Sequence, residues 1–186
     1  MSARIDPLMT VVDLECMPED GNRYEVMEGE LFVSRSPGLP HQVVSGNVFA
    51  AIWNYLDGNP IGRVLATLGL VFTEHSAVIP DLVFFTHERG ATIISGGRLI
   101  AAPEIVIEIL SPGPENVARD RIAKRQLYAK HGVNEYWILE SENRAVEIYR
   151  LHAGKLDLAA TLEGEGEITS PLLPGFACPV SQVFRQ

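Results

Sequence analysis

The chain is short of cysteine, of long apolar runs and of positive charge, and each shortage excludes something. Its two cysteines, Cys16 and Cys178, are isolated and lie near opposite ends, which gives neither a disulfide framework nor a zinc spacing and fits a reducing compartment. His75, His87, His131 and His152 have no ligand spacing with one another or with the cysteines, which argues against zinc. No apolar stretch approaches the roughly 18 residues of a membrane helix. Met1 to Thr10 carries Arg4 and Asp6 and no apolar run, so no signal peptide is expected and the reading is cytoplasmic, with no membrane partner. Lys and Arg number 15 against 24 acids, a formal net charge of -9, which counts against broad, sequence-blind binding to phosphates.

What is present is an ordinary globular composition, 46% hydrophobic and 21% charged, over 186 residues. That length suits one domain over 1–186, with no internal repeat or linker to divide it. The charge is uneven. Asp13, Glu15, Glu19, Asp20, Glu25, Glu28 and Glu30 make the N-terminal part acidic, and Glu163, Glu165 and Glu167 repeat this near the C-terminus. Between them, Arg119, Arg121, Lys124, Arg125 and Lys130 crowd one segment, as a directed phosphate contact or an ordinary solvated helix face would. If the segment serves a substrate, Arg121, Lys124 and Arg125 should stand beside the site.

Tyr24-Glu25-Val26 and Leu31-Phe32-Val33 read as a hairpin with Gly29 in its turn. From His41, apolar residues at Val44, Val48, Ala51, Ile52 and Tyr55 mark one helix face, ended by Asp57-Gly58-Asn59-Pro60. Val64 to Thr73, Val78 to Phe85 and Ile105 to Leu110 read as three strands. A helix is expected from Pro114 to about His131 with Gly132 as its left-handed cap, then a strand over Tyr136 to Leu139. Val146 to Leu151 and Leu156 to Leu162 form a second hairpin across Ala153-Gly154. The fold class is α/β (α+β): a mixed central sheet flanked by helices.

Two carboxylates violate this pattern. Glu108 interrupts Ile105-Val106-Ile107-Glu108-Ile109-Leu110, a strand apolar on both faces, where an unpaired charge costs several kcal/mol or more. Asp81 follows Pro80 at the head of Leu82-Val83-Phe84-Phe85 and raises the same question more mildly. A cation, a strong donor set or a raised pKa is required, and an Arg or Lys partner would serve equally well. Lys124 supplies a further element: it lies four residues after Asp120 and four before Tyr128 on the helix that follows the Glu108 strand. Two acids and a lysine suit phosphodiester hydrolysis. Hard oxygens hold Mg²⁺, which neutralises the phosphate and acidifies a water, while an ammonium orients that water or offsets developing charge.

Pro80-Asp81 with Ile107-Glu108-Ile109-Leu110-Ser111-Pro112 resembles the PD-(D/E)xK signature of restriction-endonuclease-like nucleases. More closely, the chain resembles the Uma-two family of endonucleases from about Tyr24 to about Leu151. The resemblance is carried by Tyr24-Glu25, Glu28-Gly29-Glu30-Leu31, Pro37, His41, Pro80-Asp81 and Ala102-Pro103-Glu104. It continues through the Glu108 to Pro112 block, Asp120, Lys124, Tyr128, Gly132-Val133 and Glu135-Tyr136-Trp137-Ile138. Leu110 stands where the wider superfamily keeps its lysine; in the Uma-two pattern that lysine moves to the next helix, where Lys124 fits. The resemblance implies a restriction-endonuclease-like core with extra N- and C-terminal hairpins and catalytic Asp81, Glu108 and Lys124. It further implies an Mg²⁺ (or Mn²⁺) ion on Asp81, Glu108 and the Ile109 backbone carbonyl, and nucleic acid, DNA first, as substrate. Glu25, His41 and Asp120 are candidates to line the site; an exposed hairpin acid, a helix N-terminal residue and a surface i,i+4 pair are their plainer readings. Tyr128 suits packing or substrate contact equally, and Tyr136 and Trp137 are expected in the core. A second reading stays open, a non-catalytic interaction domain that keeps the nuclease fold and forms a homodimer, through its acidic hairpins for example.

Overall fold

The computed structural model describes residues 8–185. A short helix α1 (Val11–Leu14), capped by Thr10, precedes the first hairpin, β1 (Arg23–Met27) and β2 (Glu30–Ser34). Glu28 and Gly29 both take positive φ in its two-residue turn, the backbone that matches strand twist. Helix α2 (Leu39–Gly58) follows and buries Val44, Val48, Ile52 and Leu56, one residue per turn on a single face. Strands β3 (Gly62–Ala66), β4 (Leu70–Thr73), β5 (Ser76–Val78) and β6 (Leu82–Thr86) come next, then α3 (His87–Ile93), β7 (Ile94–Ser95), β8 (Arg98–Leu99) and β9 (Ile105–Ile109). The segment after β9 is α4 (Pro114–Ala118), a π-helical turn (Arg119–Lys124) and α5 (Arg125–His131), closed by Gly132 at φ 85°. The remainder is β10 (Glu135–Glu140), β11 (Ala145–His152), β12 (Lys155–Leu162), β13 (Glu167–Ser170), β14 (Leu173–Pro179) and α6 (Val180–Val183).

The central sheet runs β12-β11-β10-β9-β6-β3, with β9 and β10 parallel and the other pairs antiparallel, so it is mixed as expected. Helix α5 lies in the crossover that a parallel β9–β10 pair requires. One sheet face packs on α2, β14 and α6 through Ile105, Ile107, Ile109, Phe84, Trp137 and Leu139. The other packs on α5 and on a second sheet, β2-β1-β5-β4-β8-β7, through Val106, Val83, Phe85, Tyr136 and Ile138. Tyr136 and Trp137 are fully buried.

Two strand expectations need correction. Val64 to Thr73 is β3 and β4, and Val78 to Phe85 is β5 and β6; in each case the chain leaves one sheet and enters the other. Thr67, at φ 50°, turns the first break. Pro80, which has no amide to donate, sits in the second. The second run is buried almost throughout and the first at Val64 and Leu70, and apolar residues stand on both sides of each break, so composition alone reads each as continuous. The later hairpin and the helix from Pro114 to His131 stand where expected, apart from the widened turn. Short α1, α3, α6 and β13–β14 carry too little periodicity to be read from sequence.

Candidate active site

The second sheet switch creates the site. Strands β6 and β9 are antiparallel, with Leu82 opposite Ile107, so one further step of register brings Asp81 opposite Glu108. Asp81 is 4% exposed and Glu108 2%. Both line one cavity of about 20 Å³, together with Ile109, Lys124, Asp120 and His41. That volume holds about one water or one small ion.

Each acid has its own partners. Asp81 Oδ1 accepts from Arg23 Nη1 at 3.1 Å; its Oδ2 accepts from the Ile109 amide at 2.9 Å and lies 3.0 Å from His41 Nε2. Burial alone would raise the Asp81 carboxyl, but His41, then the Ile109 amide and Arg23, outweigh it and hold it at about 2. Glu108 Oε1 accepts from Lys124 Nζ at 2.8 Å and from the Tyr128 hydroxyl at 2.7 Å. Burial is the largest influence on Glu108; Lys124 opposes it, Asp81, Asp120 and Glu25 add to it, and the carboxyl is pushed up to about 8. Lys124 stays charged: burial would lower it, but Glu108, Glu25 and Asp120 together raise it. Its Nζ is 3.1 Å from Glu25 Oε1 and 3.9 Å from Asp120 Oδ1. Glu25 is fixed in turn by the Ile79 amide at 2.7 Å, and Asp120 by Arg119 Nε at 3.0 Å.

The widened turn explains how one helix reaches so much of this cluster. Over the eight residues from Asp120 to Tyr128 a regular helix drifts by about 80°. A π turn rotates less per residue and takes up part of that drift, so Asp120, Lys124 and Tyr128 are all buried on the sheet side. The Asp120 carbonyl, within this turn, accepts from the Tyr136 hydroxyl of β10 at 3.0 Å.

All the sequence candidates therefore meet: Asp81, Glu108 and Lys124, with Glu25, His41 and Asp120 holding one or another of them. The plainer readings of Glu25 and Asp120 as exposed groups do not survive, since they are 1% and 2% exposed. Tyr128 packs and holds Glu108 at once. The basic helix needs correction. Arg121 bonds Glu140 at 3.0 Å and Glu147 at 2.9 Å, and Arg125 lies over the Tyr149 ring at 4.9 Å, so neither lines the cavity. Local acids and an aromatic ring attract them more strongly than the crowded cavity does. The arginines that do line it are Arg23, Arg35 and Arg119. Strand alternation could have found Arg23, two residues before Glu25 and so on the same face of β1. Nothing in the sequence marks Arg35.

The donor set suits a hard dication. Among the described residues nothing donates to Glu108 Oε2, and Asp81 Oδ1 keeps one lone pair beyond its bond to Arg23. No three His, Cys, Asp or Glu side chains among the described residues form a metal cage. Mg²⁺ does not need one, since it is held by one or two carboxylates with water and phosphate oxygens completing its shell.

Among solved structures, a DUF820 "putative nuclease" from Anabaena variabilis superposes with a TM-score of 0.75 at 20% identity, covering 95% of this chain and 97% of that one. That likeness shows the fold. The type IIG restriction endonuclease BpuSI aligns with 77% of this chain and 15% of its own at 13% identity, with a TM-score of 0.41, too low to carry weight. No curated protein matches. The Uma2 family, described as "Putative restriction endonuclease", matches residues 11–181, and with nearly the whole chain inside that match the protein belongs to it.

Proposed function

We propose that the protein is an Mg²⁺- or Mn²⁺-dependent endonuclease that hydrolyses phosphodiester bonds in DNA, with Asp81, Glu108 and Lys124 as its catalytic residues. Membership of a nuclease family supplies the coarse activity. One observation carries the finer reading: two buried acids from adjoining strands line a single ion-sized cavity, with a lysine ammonium 2.8 Å from one of them.

Asp81, Glu108 and the Ile109 carbonyl would hold the ion. When bound, it supplies Lewis acidity, neutralising the scissile phosphate and lowering the pKa of a water. Lys124 has three donors and no acceptor, so it is no ligand; it orients the attacking water or offsets charge that develops in the transition state. Tyr128 and Glu25 fix Glu108 and Lys124. Arg23 and His41 fix Asp81. The cavity is too small for a phosphodiester, so the phosphate must meet it at its mouth, where Arg35 stands.

Plasmid nicking in Mn²⁺ tests this, with wild type, Asp81→Asn and Glu108→Gln purified in parallel. Wild type should nick and both variants should be silent. Nicking that survives both substitutions would remove the acids from the chemistry. Asp81→Asn should also abolish most of the rise in melting temperature that the metal gives wild type.

A further inference from the structure

A second cleft, of about 340 Å³, adjoins the acid cavity, and His41 and Ser111 line both. It lies between the start of α2, the loop after β9 and the turn after β10. Pro40, Leu110, Pro112 and Val117 give it apolar walls. Its polar lining holds carboxylates, hydroxyls and one imidazole. Glu142 contributes an exposed carboxylate and Glu140 one already paired with Arg121, and the buried Ser141 Oγ and His41 Nδ1 have no hydrogen-bond partner among the described residues. No lysine or arginine lines it, whereas Arg23, Arg35, Arg119 and Lys124 line the cavity next door.

This division of charge matches the two halves of a nucleotide. Phosphate belongs with the cations. An apolar slot lined by acids and by no lysine or arginine disfavours phosphate and suits a flat, neutral ring that presents N–H donors. We propose that the cleft holds an unstacked nucleobase next to the scissile phosphate, and that it favours a base with an exocyclic amino group. Carboxylates accept from such groups, as in their pairing with the cytosine N4 amine, and the Ser141 hydroxyl can accept or donate on the same ring edge. A base can enter only when unpaired or turned out of a duplex, so the substrate is single-stranded or locally opened DNA. The proposal rests on the nuclease reading and adds to it a substrate form and a base preference.

The test is binding of fluorescent 12-mers of dC, of dT and of abasic sugar-phosphate, in Ca²⁺ and with intact oligonucleotide verified afterwards. Wild type should bind the dC oligomer about tenfold more tightly than the abasic one, the scale of one base seated on a protein surface. It should bind the dT oligomer several-fold more weakly than dC, by the loss of the amino donor. Val117→Trp fills the cleft and should erase the advantage of dC over abasic while leaving abasic affinity unchanged. Glu142 is exposed, so Glu142→Gln should fold normally and bring the dC-to-dT ratio towards one. Equal binding of dC and abasic oligomers by a wild type that nicks plasmid would overturn the base cleft alone. The same holds if Val117→Trp weakens both oligomers equally. Failure to bind any oligomer, with no nicking, would remove the nuclease reading and the cleft with it.

Discussion

Strand β9 is buried on both faces, but the two faces do different things. Towards α2 it presents Ile105, Ile107 and Ile109 to a cluster whose members are all apolar. Towards α5 it presents Val106 and Glu108, and the apolar cluster on that side surrounds Glu25, Asp120 and Lys124. The first face stabilises by removing hydrocarbon from water. The second gives up part of that gain to keep three acids and an ammonium where water cannot screen them, an arrangement that rarely stabilises a fold as well as good apolar packing would. The inserted charge weakens the core locally, while the uniform face opposite holds the strand in place.

Substitutions on the two faces should therefore fail in different ways. After the silent acid variants, the next largest effect is expected for Lys124→Met, which should lower the nicking rate by about a hundredfold or more, the scale of losing one preorganised electrostatic donor. It also leaves Glu25, Glu108 and Asp120 without their shared cation. Breaking a buried pair costs about 3–5 kcal/mol, less here below the pH at which Glu108 ionises, because that group can take up a proton instead. Parallel nicking and urea melts at two pH values would show this. A wild-type rate in a folded Lys124→Met protein would place the catalytic cation elsewhere. On the opposite face, Ile107→Ala should cost about 2–5 kcal/mol of stability through the cavity it leaves. The rise in melting temperature on adding Mg²⁺ should survive that change. If it vanished, the two faces would not be separable.

The same contrast explains what could be read from the sequence. Asp81 and Glu108 were legible because a carboxylate breaks an apolar pattern, and Lys124 because it follows at helical spacing on the next element. Glu25 and His41 came only through the family resemblance, since nothing local marks them as buried; Asp120 came with Lys124, four residues before it on the same helix face. Arg121 and Arg125 were misplaced because a basic run on a helix says nothing about which acids neighbouring strands bring to it; Glu140 and Glu147 took Arg121. The π turn has no signature in composition. The splitting of Val64 to Thr73 and Val78 to Phe85 was hidden because apolar residues stand on both sides of each break, and neither Thr67 nor Pro80 says by itself that the chain changes sheets.

The two acids of the site respond to pH in opposite senses. An exposed glutamate ionises near 4.5, and the folded protein holds Glu108 at about 8. A raised folded pKa contributes stability that is fully present below 4.5 and is lost as pH rises towards 8. Asp81 works in the opposite sense: held at about 2 against an ordinary 3.8, it contributes above 3.8, and that contribution is lost as pH falls towards 2. A dication on Glu108 has to displace its proton, so affinity for Mg²⁺ should rise with pH, by up to about tenfold per unit, and level off above about 8. Calorimetric titration of wild type and Glu108→Gln across that range is the check. A flat profile in wild type would mean that Glu108 is already ionised in the metal-free protein.

The smallest effect is expected at the mouth of the cavity, and it separates a charge that holds the fold from one kept for substrate. Arg23 bonds Asp81 and Arg119 bonds Asp120, so removing either unbalances a buried acid. Arg35 lines the same cavity, is exposed, and makes no ion pair among the described residues. Losing it should cost the fold almost nothing, since an exposed side chain away from special features shifts stability by about half a kcal/mol at most. Its cost should fall on DNA alone. One lost phosphate contact weakens binding several-fold, equally for every sequence, and lowers the dependence of log affinity on log salt by about one. Arg35→Ala should therefore melt like wild type and bind with a shallower salt slope, whereas Arg23→Ala should melt lower even without DNA. An unchanged salt slope in Arg35→Ala would move the phosphate path away from the segment between β2 and α2.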